Sequence, residues 1–512
     1  VQGSVCGVEG ATVARELQWR FMVLARQEHK NKDKHSGETM TTSDSRDSHT
    51  TPLIENHTVD YVPLAERHGK ARDLFTLWFS TNIAPLPIVT GAMVVQVFHL
   101  NLLWGLIAIA LGHMIGGVVI ALASAQGPRM GIPQMVQSRG QFGRYGALLI
   151  VFFAALIYVG FFISNIVLAG QSIHGMLPAV PLPVGVVIGA LSATAIGVIG
   201  YRFIHTLNRI GTWVMGAALV AGFIMIFSQD LPLDFFSRGS FNLSGWLATI
   251  CLGIIWQISF SPYVSDYSRY LPCDIGIAKP FWATYFGATL GTILSFSFGA
   301  VAVLATPEGT EAMVAVKQAT GFLGPILMLL FLLNIISHNA LNLYGAVLSI
   351  VTSIQTFAGN WTPSIKVRVV LATLILAGCC ITAVGASSDF ISQFIGLILT
   401  LLIVLVPWAS INLIDFYLIK RGSYDIASIF SSDGGIYGRF NPHAIIAYFI
   451  GIIVQLPFAN TSLYVGPYAN YLEGVDLSWL AGLLVTCPLY YCLATRGRAQ
   501  EKSKAARLGF TD

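Results

Sequence analysis

Charge is what this sequence has least of. Asp, Glu, Lys and Arg make up only 11% of its 512 residues, against about 25% in soluble proteins. A soluble multidomain protein needs polar faces on its segments, and the long apolar runs here have none. The sequence also lacks a disulfide framework. Of its seven cysteines, five (Cys251, Cys379, Cys380, Cys487 and Cys492) lie inside apolar runs. None has metal-ligand spacing, so they read as small buried hydrophobes. H-E-x-x-H, G-x-S-x-G and paired aspartates at membrane depth are absent as well, so an enzyme is not expected. The net charge of +4 is sorted along the chain and points to no nucleic-acid partner.

What the sequence has instead is apolar length. Hydrophobic residues reach 54% and mean hydropathy is +0.68. Runs of the length that crosses a bilayer recur from residue 73 to 495. They predict an all-α polytopic membrane protein with twelve spans, near 73–97, 101–124, 146–171, 182–200, 211–228, 245–262, 281–305, 323–352, 366–385, 390–412, 443–458 and 477–495. With the N-terminus in the cytoplasm, all but two of the 29 basic residues fall on the cytoplasmic side; Arg238 and Lys317 are the exceptions. One span more or fewer would destroy that sorting. The expected location is the cell membrane, with both termini cytoplasmic. Residues 1–70 form a hydrophilic tail and 496–512 a second one. Met40 opens a polar stretch typical of a cytoplasmic leader, which makes residues 1–39 an expected upstream extension of the reading frame.

Two spans are interrupted. The first breaks at Asn82-Ile83-Ala84-Pro85-Leu86-Pro87, the sixth at Ser259 to Pro262. Proline removes an internal helix bond, and a freed backbone group at membrane depth must face protein or a polar cavity. The breaks fall five spans apart, which predicts two inverted repeats, 71–228 and 245–412, followed by two further helices within 413–495. A binding site is expected at mid-membrane where the breaks meet. A pair of ordinary proline kinks is the plain alternative.

Three spans add polar and aromatic groups at that depth. Tyr158, Phe161 and Asn165 share one face of the third. Trp256 and Gln257 precede the break in the sixth. In the eighth, Asn334, His338 and Asn342 form a stripe with Ser337 and Asn339 adjoining. Amides and hydroxyls are unfavourable against lipid and face a bundle interior, as ligand contacts or as interhelical hydrogen bonds. Aromatic faces and amides without a buried Arg or Lys suit a flat neutral heterocycle better than a phosphate or sugar, while an amino acid stays open on this reasoning. Asp266 and Arg269, at i and i+3 beyond the sixth span, read as a surface ion pair or as an inner gate.

P-Y-V-S-D-Y-S-R-Y-L-P at 262–272, together with I-D-F-Y-L-I-K-R-G-S-Y-D at 414–425, resembles the nucleobase:cation symporter-1 family of cytosine, purine-cytosine, uracil, allantoin and hydantoin carriers. The resemblance covers roughly residues 60–500. It implies the five-plus-five inverted-repeat (LeuT-like) fold and cation-coupled import by alternating access. The substrate it implies is a base, cytosine and purines first, with allantoin, hydantoin, uracil or thiamine as the alternative. Carried over, it puts Phe161 in the stacking place of the third helix, where many members have Trp, and Asn165 in its amide place. Trp256 or Gln257 takes the aromatic place of the sixth helix, Trp256 preferred; Ser259 follows as a polar contact, and Asn339 holds the base from the eighth. For a sodium ion it implies backbone carbonyls of about Ser80, Ile83 and Asn334 and hydroxyls at Ser337 and the next position, which here is His338. Imidazole is a poor sodium ligand and a ready proton partner, so the balance favours a proton. No other cofactor is implied.

Overall fold

The structure is a computed structural model; it describes residues 60–199, 201–358, 361, 364–386, 390–461 and 464–507. The expectations for residues 1–59, including the extension before Met40, lie outside the described residues. The described chain is helical, with one isolated β-bridge, Asn460–Val465.

Each of the twelve apolar runs is helical. The first is α1 (Ala71–Asn82) and α2 (Pro85–Gln96), bent by 57° at the break. The bend follows from the sequence. Ala84 precedes a proline and is extended (φ −144°, ψ 160°), since the proline ring disfavours the helical conformation before it. Pro85 then starts α2, where its missing N–H costs nothing. Next come α3 (Leu102–Ser124), whose Asn101 cap accepts from Trp104 N, a loop helix α4 (Gln134–Phe142), α5 (Ala147–Met176), α6 (Leu182–Ile199) and α7 (Tyr201–Phe227). The sixth run is α8 (Leu243–Ser259) and the short α9 (Val264–Ser268). Between them the last turn tightens, with Phe260 N donating to Gln257 O and Ser261 N to Ile258 O, before Pro262 ends it. The chain continues through α10 (Ala278–Leu304), α11 (Gly324–Ala358), α12 (Ile365–Ala386) and α13 (Phe390–Ile414), which runs into a π turn at Asp415–Ile419. It closes with α14 (Pro442–Gln455) and α15 (Ser478–Arg507), the last of which runs on into the hydrophilic C-terminal tail.

Seven of the described helices are long and apolar enough to cross a membrane, eight with the bent pair counted as one span. The other four runs form shorter apolar helices: Leu182–Ala195, Trp213–Phe227, Leu243–Ser259 and Pro442–Phe458. Packing is governed by small residues, as expected where lipid is as apolar as Leu. A Cβ on Gly112 would lie 2.5 Å from Ile250 O, and one on Gly299 1.8 Å from Ile88 O. Those contacts seat α8 on α3 and α10 on the first span, while α11 lies along α5.

Candidate functional site

The two helix breaks meet α5 and α11 around a cavity. The α1–α2 break contributes Thr81, Ala84 and Pro87, and α5 contributes Phe161 and Asn165. From the α8–α9 region come Trp256, Phe260, Tyr263 and Tyr267, and from α11 come Asn334, His338 and Asn342. No Asp, Glu, Lys or Arg is among its lining residues. A smaller cavity shares Tyr267 and Leu341 with it and is lined also by Tyr158, Tyr344, Asp266 and Arg269.

The aromatic walls touch each other. Phe161 stacks on Phe260, with centroids 5.9 Å apart and planes 6° from parallel. Phe161 and Trp256 are 6.3 Å apart but nearly perpendicular, at 75°. A base sandwiched between two rings needs them parallel and about 7 Å apart. The sandwich implied for the third and sixth helices is therefore not formed in this conformation, and the ring facing Phe161 is Phe260, which sequence reasoning missed. In a chain with 31 Phe, no spacing singles it out.

Asn82 is the second residue that sequence reasoning left without a role. It is fully buried in the break and binds on three sides. Its Oδ1 accepts from Trp256 Nε1 (3.1 Å), its Nδ2 donates to Trp78 O (2.8 Å), and its carbonyl accepts from Ser295 Oγ (2.7 Å). The signal was an amide beside a helix break.

Three expected contact residues lie off the cavity wall. Of the pair Trp256 and Gln257, only Trp256 faces the cavity. Gln257 points toward α3 and α10, bonding to Thr292 Oγ1 (2.9 Å) with His113 Nδ1 at 3.3 Å. Ser259 Oγ donates to Trp256 O (2.7 Å), so it serves its own helix turn. Asn339 is 0% exposed. Its Nδ2 donates to Phe162 O (3.1 Å), and its Oδ1 accepts from Asn165 (3.4 Å) and Asn342 (3.2 Å). It stands behind the wall and orients two amides that are on it. The stripe Asn334, His338, Asn342 does line the cavity.

Of the residues expected around a cation, Asn334 and His338 are on the wall, while Ser80, Ile83 and Ser337 are buried off it. Ser80 Oγ donates to Leu77 O (3.0 Å). His338 Nδ1 is 3.0 Å from Asn334 O, so the carbonyl expected to hold an ion already bonds to the imidazole.

At the other end of the smaller cavity, Arg269 is 2% exposed rather than facing water as a surface ion pair would. Its guanidinium donates to Tyr270 OH (3.0 Å), Asp266 O (3.3 Å) and Asp60 O (3.4 Å). Asp266 Oδ1 accepts from the backbone N–H of Gln134 (2.7 Å), the first residue of α4, where the helix dipole favours a carboxylate. The segment before α1 joins this end through Val62 N to Gly131 O (2.9 Å) and His68 N to Tyr270 O (2.6 Å). Arg67 is held there by Val62 O (3.1 Å) and Pro128 O (2.5 Å), and burial pushes its guanidinium below the usual arginine range.

Comparison with known proteins bears on the family and the fold. The sequence pattern of the family described as permease for cytosine/purines, uracil, thiamine, allantoin matches residues 61–482. The chain is 36% identical to YxlA of Bacillus subtilis (strain 168), named provisionally as a purine-cytosine permease, over 86% of this chain and 96% of that one. It is 22% identical to the purine-cytosine permease fcyB of Emericella nidulans, over 89% and 92%. Among solved structures, Mhp1, a nucleobase-cation-symport-1 family transporter in a closed conformation with bromovinylhydantoin bound, matches with TM-score 0.69 at 19% identity, covering 88% of this chain and 97% of that one. A Na+-coupled sialic acid symporter matches with TM-score 0.60 at 13% identity, over 87% and 92%, which shows a shared fold alone. The chain therefore belongs to the nucleobase-cation-symport-1 family of permeases, multi-pass membrane transporters and not enzymes.

Proposed function

We propose that this chain imports a nucleobase, cytosine or a purine, across the cell membrane by cation-coupled symport with alternating access, with both termini in the cytoplasm. The observation that carries this reading is the cavity between the two helix breaks, with aromatic faces and amides on its wall and no charged side chain among its lining residues. A flat neutral heterocycle is what such a wall can hold. The names of the Bacillus and Emericella relatives support a base as that heterocycle. In this reading Phe161 and Trp256 stack on the base after the rings open apart, Asn165 meets its edge, and Asn339 acts by holding Asn165. Asp266 and Arg269 close the cytoplasmic end and release when it opens. The second reading keeps the fold and changes the cargo to allantoin, hydantoin, uracil or thiamine; the hydantoin bound to Mhp1 favours it.

The coupling ion in this proposal is a proton. Sodium would need a second hydroxyl where His338 stands, and the Asn334 carbonyl already bonds to the imidazole. Cells expressing the protein are expected to take up labelled cytosine and adenine above a vector control, with uptake that saturates. Uptake should persist when choline replaces sodium and fall when a protonophore is added. No uptake of any base, with competition by allantoin or hydantoin instead, would replace the first reading by the second, and loss on sodium removal alone would reverse the choice of ion.

A further inference from the structure

Where α4 passes into α5, away from the substrate cavity, Arg139 and Arg144 are 6% and 5% exposed. Both reach Thr356 in the last turn of α11. Arg144 Nε and Nη2 donate to Thr356 O (3.2 and 2.9 Å), and Nη2 also to Gln355 O (3.3 Å). Its Nη1 donates to Ser431 O (2.7 Å), so its donors are used. Arg139 is served far less well. Its Nη2 donates to Thr356 Oγ1 (3.2 Å), while Nε and Nη1 have no hydrogen bond among the described residues. Those two nitrogens are not sealed from the surface. No carboxylate among the described residues pairs with either guanidinium. Asp433, in the loop of Ser431, is exposed and takes Gly435 N (2.9 Å) and Ser431 Oγ instead.

A buried charge needs a partner of opposite sign, and here two like charges share one place. The carboxyl end of α11 offers about half a negative charge, against two positive ones. Its carbonyls are moreover taken up by Arg144. Burial, and after it the charge of Arg144, push the Arg139 guanidinium down to about 10. About one and a half positive charges are left over on this count, and Arg139 holds the open donors. The surroundings place them at the bilayer surface. The Tyr145 ring lies 5.9 Å from Phe357 and 5.9 Å from Phe440, which are 73% and 59% exposed. Exposed aromatic rings at the ends of apolar runs mark the headgroup level. Arg439, also exposed, adjoins them, since its carbonyl accepts from Tyr145 N (2.9 Å).

We propose that Arg139 and Arg144 form a binding site for a phosphate group, that of an anionic lipid headgroup or of free phosphate, on the cytoplasmic side of the membrane. Guanidinium groups hold phosphate oxygens by charge-assisted hydrogen bonds. The open N–H groups of Arg139 are the donors, and Arg144 adds its charge. Arg439 stands on the rim, and Phe357 and Phe440 meet the acyl chains of a lipid whose headgroup sits there. Basic pockets between spanning helices at the cytoplasmic leaflet suit such headgroups. A phosphate in this place ties α4 to the end of α11, the helix that brings Asn334 and Asn342 to the cavity wall. It therefore stabilises the protein whichever substrate is carried.

Thermal unfolding of the purified, delipidated full chain in a neutral detergent tests this. The probes are phosphatidylglycerol, phosphatidylcholine and inorganic phosphate. Phosphatidylglycerol should raise the unfolding midpoint by about 2 °C or more in a saturable way, and phosphatidylcholine should not. A rise with inorganic phosphate as well assigns the site to free phosphate, and a rise with the anionic lipid alone assigns it to the headgroup. Arg139→Gln should lose most of the rise. That variant gives up one hydrogen bond and a charge that Arg144 repels, so its fold should survive. Arg139→Lys, which keeps the charge without the planar donors, should retain part of the rise. Arg72→Gln, at an exposed arginine in the first turn of α1, should keep all of it. No rise with phosphatidylglycerol or phosphate, an equal rise with phosphatidylcholine, or a rise that Arg139→Gln keeps in full overturns the inference.

Discussion

Asn82 is the residue through which the two helix breaks are joined. Its three hydrogen bonds connect the first span to Trp256 of α8 and to Ser295 of α10. Asn82→Ala removes the acceptor that Asn82 offers the buried indole N–H, at a cost of about 1–1.5 kcal/mol. Base affinity should fall about tenfold or more with the amount of protein in the membrane unchanged, and equal affinity in the variant would remove Asn82 from the site. Asn82→Asp keeps the acceptor and should retain more of the binding. Residues on the wall such as Asn165, Asn334 and His338 were legible because polar groups are rare in these runs and recur at helical spacing. Asn339, Gln257 and Ser259 lie off the wall in this conformation because one step along a helix turns about 100°. Whether a residue or its neighbour faces the cavity depends on how α8 and α11 are rotated, and packing against distant helices sets that.

At the scale of elements, the two breaks frame the cavity and their cause is local. Pro85 and Pro87 each remove a backbone donor, and each costs a continuous helix about 3 kcal/mol or more. Replacing both by Ala allows α1 and α2 to run together and removes the 57° bend. Base uptake should drop about tenfold or more while the protein still reaches the membrane, because half-helices that no longer end at the cavity cannot shape its wall. Unchanged uptake would mean that the bend is an ordinary kink. The other break is held less by proline than by a tightened turn at Phe260 and Ser261. Its sequence signal therefore covered the right residues without showing that α9 re-forms as a separate short helix beyond it.

For the molecule as a whole, the end beyond the smaller cavity is built around Arg269. That buried guanidinium, the segment from Asp60 to Arg72 and the loop helix α4 are tied together by the bonds of Arg269, Asp266 and His68. Arg269→Met should loosen this end, so that a cysteine introduced at Leu348, which lines the smaller cavity, reacts several-fold faster with an impermeant thiol reagent in inside-out vesicles. Equal rates with native Arg269 would show that the closure lies elsewhere. The sequence by itself determined the membrane class, the helical runs, both interruptions and the family, because hydrophobic length, proline and short signatures act within a few neighbouring residues. Only the tertiary structure decided that Phe260 rather than Trp256 lies parallel to Phe161, that Asn82 bonds to a residue 174 positions away, and that Asn339 stands behind the wall. Each of those depends on the rotation and approach of helices far apart in the chain, which close-packed side chains settle together and no local pattern records.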